Sequence, residues 1–269
     1  MDTISVLGLG AMGTALARTF LDHGHPVVVW NRTPGKDGDL VERGATRAAT
    51  PAEALAAGAL GVLCVSDYTA AEAILDGTAP DRPLVNLTTG TPDQARRVAA
   101  GRAGYLDGVV QASPAQIGGP DATLLIGGPR AVYERHRKAL DLLGTFHFVG
   151  EDPGQACLYD LTMHGLWYDA MLAYLRALAF VDDPEAFAPF AARQFGYVAQ
   201  SAGDTAREVT SRDYPRGPAS LAEHAPVLEH LISVGAERFR EMHALVERRI
   251  AQGHGTDGLT SVIEELRRG

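Results

Sequence analysis

Two hydrophobic rhythms divide the chain. Up to Gly150, short apolar runs rich in β-branched residues alternate with stretches of helical spacing; beyond it only helical spacing remains. The short runs predict strands at Thr3–Leu7, Pro26–Trp30, Leu60–Val65, Leu84–Leu87, Tyr105–Asp107, Ala122–Gly127 and Phe146–Val149. Helices are predicted at Thr14–His23, Pro51–Ala57, Thr69–Leu75, Asp93–Ala103 and Pro129–Leu143, and Val109–Pro120 reads as a loop ending in Gly118, Gly119 and Pro120. Strand–helix alternation of this kind predicts an α/β fold, a doubly wound parallel Rossmann sheet with its ligand at the carboxyl ends of the strands. The later spacing predicts helices over Gly154–Phe180, Pro184–Ala202, Ala219–Ile250 and Leu259–Arg267. The expected division is a nucleotide-binding domain over 1–152, an inter-domain helix over 153–181 and an all-α domain over 182–269.

The stretch from Gly154 to Phe180 is apolar on every side: Cys157, Leu158, Leu161, Met163, Leu166, Trp167, Met171, Leu172 and Leu175 leave no polar stripe. Such a helix is expected to be buried all round. Asp160, His164 and Asp169 interrupt it too often for a membrane span. Asp160, His164 and Tyr168 are spaced four apart and share one face, with the outer two about 12 Å apart along the axis, the width of a small-molecule site. Buried carboxylates are rare unless partnered, so Asp160 is a candidate for chemistry. Helices without a sheet form a weak core of their own, and with one of them apolar all round, the second domain is expected to be completed by another subunit in an intertwined homodimer.

Gly8-Leu9-Gly10-Ala11-Met12-Gly13 lies between the first strand and the first helix, the required context for a dinucleotide fingerprint. Gly8 allows the tight turn, Gly10 the approach of a pyrophosphate to the helix N-terminus, and Gly13 close helix–strand packing. At the end of the second strand, where an NAD enzyme usually carries an acidic residue, stand Asn31, Arg32 and Thr33, then Lys36. A guanidinium and a hydroxyl suit a ribose 2′-phosphate, so the expected cofactor is NADPH. Further cofactor contacts are expected at strand ends, from Cys64, Val65 and Ser66 and from Thr89.

Charge narrows the partners. A net charge of −9 argues against nucleic acid and anionic membrane surfaces. Two cysteines far apart in sequence, and an opening strand without a basic leader, fit a cytoplasmic protein. The nine histidines do not cluster, and no Gly-x-Ser-x-Gly turn occurs, so neither a metal nor a covalent intermediate is expected.

The whole chain resembles the β-hydroxyacid dehydrogenase superfamily, and within it the imine reductases and reductive aminases. The resemblance rests on GLGAMGTALA at 8–17, WNRTPGK at 30–36, NLTTGTPDQAR at 86–96, SPAQIGGP at 113–120, YDLTMHGLWY at 159–168 and AQGHGTDGLTSVIEEL near the C-terminus. Hydroxyacid dehydrogenases of this kind carry a lysine where this chain has Asp160, and a Ser-Gly-Gly turn where it has Gln111-Ala112-Ser113. An acidic residue at the centre of the site repels a carboxylate and favours a cationic iminium. The resemblance implies hydride transfer from NADPH to C=N, with Asp160 as proton donor or iminium stabiliser and Tyr168 orienting the nitrogen. It places Thr89, Ser113, His164, Trp167, Phe195 and His224 around the substrate. Thr89 stands where amine-coupling members often carry Asn. His164, Gly165 and Asp169 also depart from the family pattern; His164 is either an ionisable pocket group or, the preferred reading, a satisfied core histidine, and core is also the preferred reading of Trp167. The alternatives are an atypical β-hydroxyacid or β-keto acid oxidoreductase using Tyr168 as its acid, and a nucleotide-binding protein without turnover.

Overall fold

A computed structural model describes residues 1–268. Eight strands form one sheet in the order β3-β2-β1-β4-β5-β6-β7-β8, parallel throughout except where β7 runs antiparallel to β6. The strands are β1 (Ile4–Leu7), β2 (Val27–Trp30), β3 (Thr46–Arg47), β4 (Leu60–Leu63), β5 (Leu84–Asn86), β6 (Tyr105–Gln111), β7 (Thr123–Gly127) and β8 (Thr145–Gly150). Helices α1 (Ala11–Asp22), α2 (Gly38–Glu42), α3 (Pro51–Ala57), α4 (Tyr68–Leu75), α5 (Pro92–Ala99) and α6 (Arg130–Leu140) connect them. β1 and β4 are wholly buried, which is why they read as nearly continuous apolar runs, broken only by Ser5 and Gly61, rather than alternating ones. The chain reverses its direction of travel across the sheet between β1 and β4, the switch point where such folds bind ligands.

Then come α7 (Gln155–Leu178), α8 (Pro184–Ser211), α9 (Leu221–Ser233), α10 (Arg240–Arg249) and α11 (Ile263–Leu266). Two compact units divide within α7, between Met171 and Leu172. The second unit has a small core of its own, from Leu221, Ala225, Leu228, Leu245, Val246 and Val262. No helix among the described residues is long and apolar enough to cross a membrane.

Several expectations are corrected. Val109–Gln111 are strand, because they extend β6 to pair with β7; the loop begins only at Ala112. The two-residue β3 and the five-residue α2 were too short to leave a periodic signal. α8 continues through Gly203 to Ser211, since nothing beyond the glycine's own propensity opposes it. Gly235, at φ 92°, breaks the predicted Ala219–Ile250 helix between α9 and a short 3-10 turn. Within the single chain α7 is not buried all round: only Ala156, Cys157 and Asp160 are, while Leu166, Trp167 and Tyr168 are more than half exposed.

The buried start of α7 is fixed to the sheet. Arg96 of α5 forks onto Asp152, with Nη2 2.7 Å from Oδ2, and Asp152 Oδ1 accepts from the backbone N–H of Gly154. Behind this clamp the Asp107 carboxylate of β6 accepts hydrogen bonds from the hydroxyls of Tyr68 and Tyr105 and from the thiol of Cys157, whose Sγ is 3.1 Å away. Asn86 Nδ2 donates to the Tyr105 hydroxyl at 2.9 Å. Burial is the larger effect on Asp107 and raises its pKa from 3.8 to about 6, against the lowering by these hydrogen bonds. Burial and the Asp107 charge together push the thiol of Cys157 well above its ordinary value.

Because the folded chain holds the Asp107 proton longer than the unfolded chain, this group's contribution to stability is full below about pH 4 and is lost as pH rises through about 6. Denaturant unfolding of wild type and Asp107→Asn from about pH 4 to 7 should show the wild type losing ground by on the order of 3 kcal/mol. A difference that stays constant with pH contradicts a titrating Asp107.

Candidate active site

At the switch point the turn after β1 opens a cleft of about 370 Å³. Gly8, Gly10, Ala11, Met12 and Gly13 form one side, Asn31, Arg32 and Thr33 another, and Cys64, Val65 and Ser66 a third. The glycines differ in what they do. A Cβ on Gly13 would lie 1.8 Å from the Gly8 carbonyl oxygen, and one on Gly8, which has φ 93°, would lie 2.2 Å from that of Cys64. A Cβ on Gly10 would meet nothing within 4 Å. Gly8 and Gly13 are therefore required by the protein's own packing, whereas Gly10 leaves room in the cleft. Gly10 also caps α1 without a side-chain hydrogen bond, so the first-turn N–H groups remain available to an anion. These features fit a dinucleotide pyrophosphate.

Asn31 ties the two turns together: its Oδ1 accepts from the backbone N–H of Leu9 at 2.9 Å, and its Nδ2 donates to the Thr33 carbonyl at 2.9 Å. A second hollow of about 320 Å³ lies on Asn31–Pro34 and is closed by Asp37 and Arg47. Arg47 hydrogen-bonds the buried Asp37 and holds its carboxyl below the usual range, which neutralises a negative charge beside Arg32 and Thr33. Sequence reading missed Arg47, because the strand that carries it is only two residues long. Lys36 is exposed and lines neither hollow. Burial pushes the Cys64 thiol up to about 11, so it packs as a neutral group.

A separate open pocket of about 470 Å³ is lined by Gln111, Met163, His164, Trp167 and Tyr168. Asp160 does not line it. It sits behind, 4 % exposed, where Gln111 Nε2 donates to Oδ1 and His164 Nδ1 approaches that oxygen at 3.4 Å. The preference for core histidine is corrected within the single chain: the His164 side chain is 55 % exposed, because beyond Asp160 the helix is exposed on every side through residue 169. Trp167 is also pocket wall rather than core, edge-on to Tyr168 with ring centroids 5.0 Å apart. Gln111 is the site residue that sequence reading left without a role. Its signal was present: a polar residue ending a buried strand, on the same face as Asp107.

Thr89 is exposed and lines neither this pocket nor the cleft; its neighbour Thr88 is the buried one, its hydroxyl accepting from the Val65 N–H at 3.2 Å. The Ser113 hydroxyl is engaged with Gln116 in a capping turn. Phe195 and His224 lie in the second unit, where Phe195 packs edge-on against Tyr174. Among the described residues no cluster of His, Cys, Asp or Glu could hold a metal ion.

Comparison with known proteins finds two family models that together span nearly the whole chain. Residues 3–158 match the family model for the NAD binding domain of 6-phosphogluconate dehydrogenase, and residues 152–268 that for the NADPH-dependent reductive aminase-like C-terminal domain. The chain is 32 % identical to an NADPH-dependent reductive aminase of Aspergillus oryzae over 99 % of its own length and 97 % of the relative's. Among solved structures it resembles an imine reductase from Bacillus cereus, at 32 % identity and TM-score 0.85. It also resembles a reductive aminase from Aspergillus terreus in complex with NADPH and ethyl levulinate, at 33 % identity and TM-score 0.77. Each alignment covers 99 % of both chains. A fingerprint cleft without a carboxylate at the end of β2, an aspartate in the lysine's place on α7 and likeness along the whole length agree: the chain belongs to the imine reductase and reductive aminase family.

Proposed function

We propose that this protein is an NADPH-dependent imine reductase that converts C=N substrates to amines, with reductive amination of ketones as an extension of the same chemistry. The observation that carries this reading is the Asp160 carboxylate, buried behind the pocket with Gln111 and His164 as partners and, among the described residues, no Arg or Lys paired with it. Such a charge favours a positively charged nitrogen in the pocket and opposes a carboxylate there. An oxidoreductase for β-hydroxy or β-keto acids would need the reverse arrangement.

NADPH, when bound, supplies the hydride. The chain's own residues bind and orient. The α1 N-terminus takes the pyrophosphate, and Arg32 and Thr33 the 2′-phosphate, with Asn31 holding both turns in place. Asp160, from behind the pocket and through its partners Gln111 and His164, favours positive charge at the substrate nitrogen. Tyr168, more than half exposed on the pocket wall, offers its hydroxyl to orient that nitrogen. Residues 1–152 would bind the cofactor, 153–181 carry the chemistry, and 182–269 complete the site and the dimer.

The exposed apolar residues round α7 support a homodimer. Leu158, Leu161, Leu166 and Trp167 are each between 44 % and 70 % exposed, apolar surface that a partner copy would cover. Two free thiols, Cys64 and Cys157, suit the cytoplasm.

NADPH absorbance should fall with a five- or six-membered cyclic imine and stay flat with a β-keto acid; the opposite pattern rejects the imine reading. In Asp160→Ala, turnover should drop by on the order of 100-fold while the NADPH dissociation constant changes little. Tyr168→Phe, assayed alongside, isolates the hydroxyl. Arg32→Ala should weaken NADPH by roughly 10- to 100-fold and NADH far less, measured by cofactor fluorescence. Sedimentation at micromolar concentration should give a dimer, and a monomer there sinks the shared-site reading.

A further inference from the structure

His164 has two nitrogens in different surroundings. Nδ1 is 2.9 Å from the backbone carbonyl oxygen of Asp160, one helical turn earlier, and 3.4 Å from the Asp160 carboxylate. A carbonyl or carboxylate oxygen only accepts, so Nδ1 must carry a hydrogen. The tautomer is thereby set, and Nε2 is the nitrogen left for other partners; among the described residues it makes no hydrogen bond to protein. The ring is half exposed and lines the 470 Å³ pocket together with Gln111, Met163, Trp167 and Tyr168. Asp160 itself is recessed, its side chain 5 % exposed and one oxygen already engaged by Gln111.

We propose that His164 Nε2 is the proton donor to the substrate nitrogen in this chain, with Asp160 acting through it as a positioning residue that holds the ring and its tautomer. The inference rests on the imine-reductase reading above and names which group moves the proton. A neutral imine needs a proton on nitrogen when hydride arrives at its carbon. The π pair of C=N moves onto nitrogen and takes the proton from the imidazolium; the Nε2–H bond breaks and an N–H bond of the amine forms. The carbon gains its two electrons from the hydride of NADPH. His164 is left as neutral imidazole with Nδ1 still protonated, and a proton from solvent restores Nε2–H before the next turnover. The groups facing the ring are Asp160 and Tyr168 on α7 and the uncharged Gln111 on β6, with Met163 and Trp167 supplying apolar wall.

A substrate that needs no proton separates this role from a structural one. With a neutral six-membered cyclic imine, His164→Gln should lose about 100-fold in kcat, the scale of general acid catalysis. With the N-methyl iminium salt of the same ring, permanently charged, the same variant should lose less than about threefold. Equal losses on both substrates, or no loss on the imine, overturn the proposal. A second readout does not depend on turnover. Long-range 1H–15N spectra of protein labelled at histidine, with the His164 signals assigned by their absence from His164→Gln, should show the neutral ring protonated at Nδ1. The Nε2–H tautomer there overturns the proposal even in an active enzyme. If the wild type turns over neither substrate, the activity reading falls, and the proton-donor proposal falls with it.

Discussion

The site depends on how β6 meets the first turns of α7. Asp107 takes the thiol of Cys157, and Gln111 on the same strand face donates to Asp160. A buried carboxylate left without donors costs far more than a hydrogen bond returns. Asp107 therefore has three donors, from α4, its own strand and α7. With every polar group partnered, the network ties three elements into one rigid seat. The Arg96–Asp152 fork and the close fit of glycine then fix where α7 begins: a Cβ on Gly127 would meet the Asp152 carbonyl oxygen at 2.6 Å. The position and rotation of Asp160 follow from those contacts rather than from the rest of the helix.

The same economy is visible at the cofactor cleft. Asn31 reads both turns at once, so the glycine loop and the end of β2 move as a unit. Asp37 would repel a phosphate nearby, and Arg47 cancels it. Backbone N–H groups and the Arg32 guanidinium thus face the cleft with the nearby Asp37 carboxylate neutralised by a residue on the edge strand.

Much of this was legible in residue order. The fingerprint context, the missing acid after β2 and the aspartate on α7 are local statements, and so are strand runs such as Leu60–Leu63 and helix starts with their own caps, as at Thr50 and Asp67. Less legible were features lacking a period. β3 is too short, and the continuation of β6 through Val109–Gln111 depends on β7 arriving antiparallel beside it. The roles of Gln111 and Arg47 depend on partners 49 and 10 residues away in sequence.

Sequence by itself determined the nucleotide-binding topology and the family, because each is written in residue types at fixed spacing along a strand–turn–helix or a single helix. It could not decide which side of α7 faces the sheet, since a helix apolar all round has no stripe to aim it. Only tertiary contacts with β6 chose that rotation. They buried Asp160, while the next turns, exposed on every side within the single chain, let His164, Trp167 and Tyr168 line a pocket.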